Sequence, residues 1–300
     1  MARIIFATVG TTSFEGFVQS LCSVSFLTAM AHHHSLRCHQ QQQQQQQQEQ
    51  HHNATDHCVE LVIQYGRGQC PREYLSKAQH HYEASTQPTT HQSSNNTEKI
   101  NEDDGSIILS IPIDTSLSLS PKEEEKIKIF IRWYRFQPSL SEDMQRSSMI
   151  LCHAGAGTLL EALNLSSEIT INNDENTTSK PKQKMIINAV INSTLMNNHQ
   201  SELAQELERR QHIKVTWNPI LEWGTEEGAS KFWKDIGMFQ PVLFSGGGNR
   251  RVVDDEGNSV SCKSEQGRGN AFVNKFQTIV DRVMGFSTDD IDDVIQSTQY

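Results

Sequence analysis

No stretch of this chain approaches the roughly 18 consecutive apolar residues that a membrane-spanning helix needs, and that class is set aside. A basic excess is missing too. Twenty-six Lys and Arg face 36 Asp and Glu, a formal charge of −10, and no basic stripe stands out. General nucleic-acid binding requires a concentrated cationic face and is excluded on that ground. Cysteine is sparse: Cys22, Cys38, Cys58, Cys70, Cys152 and Cys262 form neither a CxxC pair nor a dense framework. They read as free thiols of a cytoplasmic chain. A continuous apolar leader is also lacking, because the run Ile4 to Val9 stops at Gly10-Thr11-Thr12 and the next segment is interrupted by Glu15 and Gln19. No secretory signal is therefore expected. Apolar matter is thin overall, 35% hydrophobic and 7% aromatic, with a mean hydropathy of −0.57. That composition leaves core for one domain of about 100 to 200 residues.

The shortfall is concentrated in four polar tracts, read as insertions into a single domain over residues 1–286 that is followed by a polar tail at 287–300. The first, about 32–57, holds an unbroken glutamine run from Gln40 to Gln48 flanked by histidines. Such low complexity buries too little apolar surface to offset ordering entropy. Its histidines lack defined ligand spacing, and no metal site is expected. The second, about 79–121, is rich in Ser, Thr, Asn and His, with a short strand available at Ile107 to Ile113. The third, about 166–182, is rich in Asn and Thr, and the fourth, about 245–268, in Gly and charge.

Between the tracts, short apolar runs alternate with helical spacing. Strands are expected at Arg3 to Val9, Leu61 to Tyr65, Ile127 to Phe136, Met149 to His153, Met185 to Ile191 and Ile213 to Trp217. Helical patterns occur at Phe14 to Leu21, Leu140 to Arg146, after Gly157 with Leu159, Leu160 and Leu163, at Asn197 to Arg210, and at Phe272 to Phe286. This alternation implies an α/β fold, a doubly wound parallel sheet covered on both faces.

Ligands of such sheets bind outside the carboxyl ends of the strands. Three strand ends carry unusual loops. Gly10-Thr11-Thr12-Ser13 combines a permissive glycine with hydroxyls at a helix start, which suits a phosphate and equally an ordinary N-cap. His153-Ala154-Gly155-Ala156-Gly157-Thr158 lets backbone approach an anion at a helix N-terminus. Glu161 one turn later is placed to hold ribose hydroxyls or to offset the helix dipole. Asn197-Asn198-His199-Gln200 offers amide and imidazole groups suited to a sugar's hydroxyl and acetamido groups, or to a polar cap. Gly66-Arg67-Gly68 is a fourth candidate, with Arg67 available to a diphosphate or an acceptor, and equally a plain strand-end turn.

At these residues the chain resembles a known family, glycosyltransferase family 28, whose domain is the Rossmann-like C-terminal half of a GT-B enzyme. The matching segments are Phe6 to Phe14, Leu61 to Gly68, His153 to Gly157 with Leu160-Glu161, and Leu195 to Gln200 with Glu202-Leu203-Ala204. Within that family the chain is similar to the donor-binding subunit of the two-component transferase that adds the second N-acetylglucosamine to dolichol-linked oligosaccharide. The resemblance implies the donor UDP-N-acetylglucosamine, with Gly10, Thr11, Thr12, Ser13, Gly155, Ala156, Gly157 and Thr158 cradling the diphosphate. It gives Glu161 the ribose hydroxyls, Asn197, Asn198 and Gln200 the N-acetylglucosamine, and the loop Gln137 to Leu140 the uracil. His153 and Glu161 are the catalytic candidates, His153 as a base unless the partner supplies one. The resemblance implies no metal and no cofactor, since helix dipoles and N–H groups stabilise the leaving diphosphate. It also implies a membrane-anchored, acceptor-binding partner at the cytosolic face of the endoplasmic reticulum, with Phe272 to Phe286 as a docking candidate. The first and third insertions are expected on the sheet edge opposite the site.

Overall fold

Runs of β-branched and large apolar residues too short for helices make the strands, and amphipathic segments wrap them on both sides. The computed structural model describes residues 3–46, 58–85, 103–113, 126–171, 185–193, 199–242, 252–253 and 259–260. In chain order the elements are β1 (Arg3–Thr8), α1 (Glu15–Leu21), α2 (Val24–Gln46), β2 (Cys58–Gln64), α3 (Arg72–Ser85), β3 (Gly105–Pro112), β4 (Lys126–Tyr134), α4 (Ser141–Arg146) and β5 (Met149–His153). They continue with α5 (Ala156–Ile171), β6 (Ile186–Val190), α6 (His199–Arg209), β7 (Lys214–Thr216), α7 (Pro219–Trp223), α8 (Glu226–Met238) and a short hairpin of β8 (Val252–Val253) and β9 (Ser259–Val260).

The main sheet has seven strands in the order β3-β4-β2-β1-β5-β6-β7. All neighbours pair in parallel except β3, which runs antiparallel to β4 along the edge. The α/β, doubly wound architecture read from the sequence is therefore the observed one, with an antiparallel edge added. Register aligns the carboxyl ends: Thr8 sits beside Gln64 and Cys152, Gln64 beside Tyr134, and His153 beside Val190. The central strands β5 and β6 are buried at every position, as strands covered on both faces should be. β4 instead alternates, burying Ile127, Ile129, Ile131 and Trp133 while Lys126 and Lys128 face solvent.

Two separate cores result. One face of the sheet packs against α1, α2, α3, α7 and α8, the other against α4, α5 and α6. The strands supply both by alternation: Ile5 and Ala7 point into the first core, Phe6 into the second.

The helices α2, α3, α7 and α8 lie beyond the sequence reading. The pattern at Phe14 to Leu21 is α1, but the chain turns at Cys22 and resumes as α2, burying Phe26, Leu27, Met30 and Ala31. α3 buries Leu75, Ala78 and Tyr82. α7 and α8 follow β7 and bury Trp223, Ala229, Phe232, Trp233 and Ile236. The low-complexity tracts also begin later than their composition suggests. α2 runs through the histidines to Gln46, α3 to Ser85 and α5 to Ile171. Once packing has nucleated a helix, each further residue adds a hydrogen bond, and Gln is a fair helix former. The short strand available at Ile107 to Ile113 is β3. The first and third tracts each lead into a strand at its amino end, Cys58 of β2 and Ile186 of β6, on the edge opposite the loops singled out above. The helix expected at Phe272 to Phe286 lies outside the described residues.

Candidate active site

The carboxyl ends of β1, β2, β4 and β5 open on one cavity of about 490 Å³. Its walls are Gly10 and Thr11 after β1, Phe136 to Leu140 after β4, and His153, Gly155 to Thr158 and Glu161 on and after β5, with Gln64 of β2 beneath. Two of the loops selected by sequence and the loop assigned to uracil thus face each other across a single space.

The β1 loop turns sharply because Gly10 takes φ of +63°, a conformation that side-chain-bearing residues rarely adopt. Gly66, at φ of +60°, does the same after β2, and a Cβ there would lie 2.4 Å from the carbonyl oxygen of Thr12. The two loops are consequently zipped together, the Arg67 N–H donating to the Thr12 carbonyl at 3.0 Å.

His153 is the hinge of the site. Its imidazole is only 6% exposed and lies between the two glycine loops. A Cβ on Gly10 would approach the ring to 2.8 Å, and one on Gly155 to 2.2 Å. Both glycines are therefore demanded by the histidine, not only by a ligand. Burial pulls the His153 pKa below the ordinary histidine range, against a small upward push from the Thr8 backbone. The ring is accordingly neutral at physiological pH, and its Nδ1 is buried without a protein partner. A neutral imidazole has one nitrogen free to accept a proton.

Beyond His153 the chain enters α5, whose first N–H groups and positive dipole end point at the cavity. At Gly157 a Cβ would meet nothing within 4 Å, so the space over this turn is open. Glu161, exposed one turn further, accepts a hydrogen bond of 2.8 Å from the Ser141 hydroxyl at the start of α4. That bond holds the carboxylate over the cavity and ties α5 to the loop at 137–140. α4 is itself anchored by Asp143, whose carboxylate pairs with Arg132 and accepts from the Tyr134 hydroxyl at 2.6 Å.

The remaining candidates are placed differently. The Thr12 hydroxyl donates to the Val9 carbonyl at 2.8 Å, within its own loop. Ser13 borders a neighbouring, more apolar cleft of about 280 Å³ with Phe14, Ile191, Trp217 and Ile220, and its carbonyl accepts from Asn192 at 3.3 Å. Gln200 lies in the first turn of α6, outside the cavity wall. Asn197 and Asn198 lie outside the described residues. Arg67 is exposed beside the β1 loop. Among the described residues no group of three or more His, Cys, Asp or Glu side chains is placed to hold a metal. Sequence reasoning missed Gln64, Phe136 and Ser141. The signal for Gln64 was available, since an amide as the last residue of an otherwise apolar buried strand needs partners.

Comparison with known proteins bears on this geometry. Residues 113–215, which hold β4 to β7 and the glycine loop of α5, match the glycosyltransferase family 28 C-terminal domain. The resemblance drawn from its motifs is thereby upheld. The relatives include UDP-N-acetylglucosamine transferase subunit ALG13 from Homo sapiens, 36% identical over 80 residues, which is 27% of this chain and 6% of that protein. The ALG13 subunit from Yarrowia lipolytica is 30% identical over 86 residues, 29% of this chain and 35% of that protein. The family 28 match is thus joined by relatives of which this chain spans about a third or less. Among solved structures, ALG13 in solution aligns with 81% of this chain and 89% of its own at 16% identity and a TM-score of 0.37. The glycosyltransferase SnogD from Streptomyces nogalater aligns with 80% and 40% at 12% identity and a TM-score of 0.30. Among the described residues no helix is long and apolar enough to cross a membrane.

Proposed function

We propose that this chain is the donor-binding catalytic subunit of a UDP-N-acetylglucosamine transferase that adds the second N-acetylglucosamine to dolichol-linked oligosaccharide. The carrying observation is the convergence of the β1 loop, the loop at 136–140 and the α5 N-terminus on one cavity, with Glu161 steadied above it by Ser141. The diphosphate is assigned to Gly10, Thr11 and Gly155 to Thr158, where backbone N–H groups and the α5 dipole stabilise the charge that develops as UDP leaves. The uracil goes to residues 137–140 and the ribose to Glu161. The N-acetylglucosamine is assigned to Asn197, Asn198 and Gln200, with Thr12 and Ser13 supporting the loop beneath the phosphates. The acceptor's 4-hydroxyl displaces UDP at the anomeric carbon with inversion. The base is His153, neutral and able to take the proton, or a group of the partner. No metal or cofactor enters this scheme. The name of the relatives, a subunit, supports a second chain. We assign that chain the membrane anchor and the acceptor, and place the complex at the cytosolic face of the endoplasmic reticulum.

The test is transfer of labelled N-acetylglucosamine to dolichyl-diphosphate-N-acetylglucosamine, with purified chain added to membranes depleted of their own soluble subunit. Label is expected in the chitobiosyl lipid with wild type and not with Glu161→Ala. Donor binding without transfer would sink the assigned acceptor. Neither binding nor transfer would sink the transferase reading itself.

A further inference from the structure

We propose that Gln64 is a positioning residue that sets the distance between the phosphate side and the base side of the cavity. This rests on the donor assignment above. Gln64 ends β2, between β1 and β4 in the sheet, and is only 2% exposed. Its amide uses both ends in both directions. Oε1 accepts from the Thr8 hydroxyl at 2.5 Å and from the Gly10 N–H at 2.9 Å. Nε2 donates to the Gly10 carbonyl and to the Arg135 carbonyl, each at 2.8 Å. Gly10 is thus gripped by its N–H and its carbonyl together, which holds the turn at φ of +63°. The same amide ties down Arg135, immediately before the loop at 136–140. One planar side chain links two loops whose strands do not touch.

No other side chain type does this at that length. Glutamate has only acceptors when ionised and would set oxygen against the Gly10 and Arg135 carbonyls. Methionine fills the space but removes the acceptor of the Thr8 hydroxyl, one of the two acceptors of the Gly10 N–H, which also donates to Thr8 Oγ1 at 3.1 Å, and the donor to two carbonyls, a cost that grows with burial. The consequence is specific. A ligand that spans both loops depends on their separation, while a ligand resting on one loop does not.

Three chains separate this role from bulk stability: wild type, Gln64→Met, and Leu61→Ala as a destabilised control on the opposite face of β2. Each is titrated by calorimetry with UDP and with uridine, well below its melting temperature, and amide exchange is followed at Gly10 and across 136–140. Gln64→Met is expected to weaken UDP about tenfold or more, to leave uridine within about threefold, and to speed exchange in both loops. Leu61→Ala is expected to keep both affinities. Wild-type binding with equal losses for UDP and uridine in Gln64→Met, or with none, overturns the positioning role and leaves the donor assignment standing. If wild type binds neither ligand, the donor assignment fails. Exchange then decides Gln64: faster exchange in both loops upholds the coupling, and unchanged exchange overturns it.

Discussion

The two faces of the sheet are built from different materials. The face covered by α1, α2, α3, α7 and α8 holds Phe14, Phe17, Phe26, Tyr65, Tyr82, Trp133, Trp223, Phe232 and Trp233. Their rings interlock, Phe26 lying 5.0 Å from Trp223 and 5.3 Å from Trp233 between centroids. Among the described residues, the face covered by α4, α5 and α6 has only Phe6 and Tyr134 as aromatics and is lined by Ala154, Ala156, Ala162, Ala189 and Ala204. Large rings bury the most area per residue and supply stability. Small side chains let a helix lie close to the strands, and this brings the first turn of α5 to the strand ends where the cavity opens. Stability is thereby assigned to the aromatic face, while the alanine-lined face brings α5 to the carboxyl edge where the site opens.

Trp223→Ala strikes the aromatic face hardest, with an expected loss of about 3–5 kcal/mol. Denaturant unfolding would show it, and UDP affinity of the folded fraction should be unchanged. A comparable loss of affinity would break the division between faces. Gly155→Ala tests the other side. Its Cβ would lie 2.2 Å from the His153 ring, with an expected cost of about 1–3 kcal/mol and loss of UDP binding as the ring is driven into the cavity. Adding His153→Ala to Gly155→Ala should recover part of that stability, because the three atoms nearest the added Cβ all belong to the His153 ring. Glu161→Ala should leave stability alone and weaken UDP by about 1.5–3 kcal/mol, the value of hydrogen bonds to a charged group. Ser141→Ala should give a fraction of that loss, since it only steadies the carboxylate.

The smallest effect is on pH. His33, packed on Trp233 at 5.7 Å, is held down to about 4 by burial and then by Arg3, Arg37 and His34. His153 is shifted the same way at the carboxyl end of β5. Both refuse protons that the unfolded chain accepts below the ordinary histidine value of about 6.5. Their stabilisation is fully present above that pH and declines below it, for His33 as pH falls towards 4. Unfolding curves at pH 7.5, 6 and 5 should show the decline, and His33→Gln should flatten part of it. A decline unchanged in both His33→Gln and His153→Gln would overturn the assignment.

Most of the sheet was legible because strands covered on both faces are apolar along their length, as in Ile4 to Val9 and Met149 to His153. α8 was equally legible, though unread: Ala229, Phe232, Trp233 and Ile236 keep the spacing of one helical face, and Thr225 caps its start by accepting from Gly228 at 3.1 Å. The tract boundaries were not legible in the same way. The last turn of α2 is all glutamine and those of α3 and α5 are mixed, and their helicity depends on the packed turns before them. At the site, the glycine loops and Glu161 announced themselves by composition. Gln64 and Ser141 did not, because an amide or a hydroxyl acquires a role only through the partners that folding brings to it.

Local chemistry alone therefore determined the strand and helix alternation, the parallel doubly wound class and the two glycine loops at strand ends, since each depends on neighbours within a few residues. Only the tertiary structure decided which face holds the aromatic core, that His153 demands both Gly10 and Gly155, and that Gln64 joins loops from strands that do not touch. Those relations join residues far apart in the chain, 143 positions from Gly10 to His153 and 207 from Phe26 to Trp233, and no periodicity in a sequence encodes a contact across such distances.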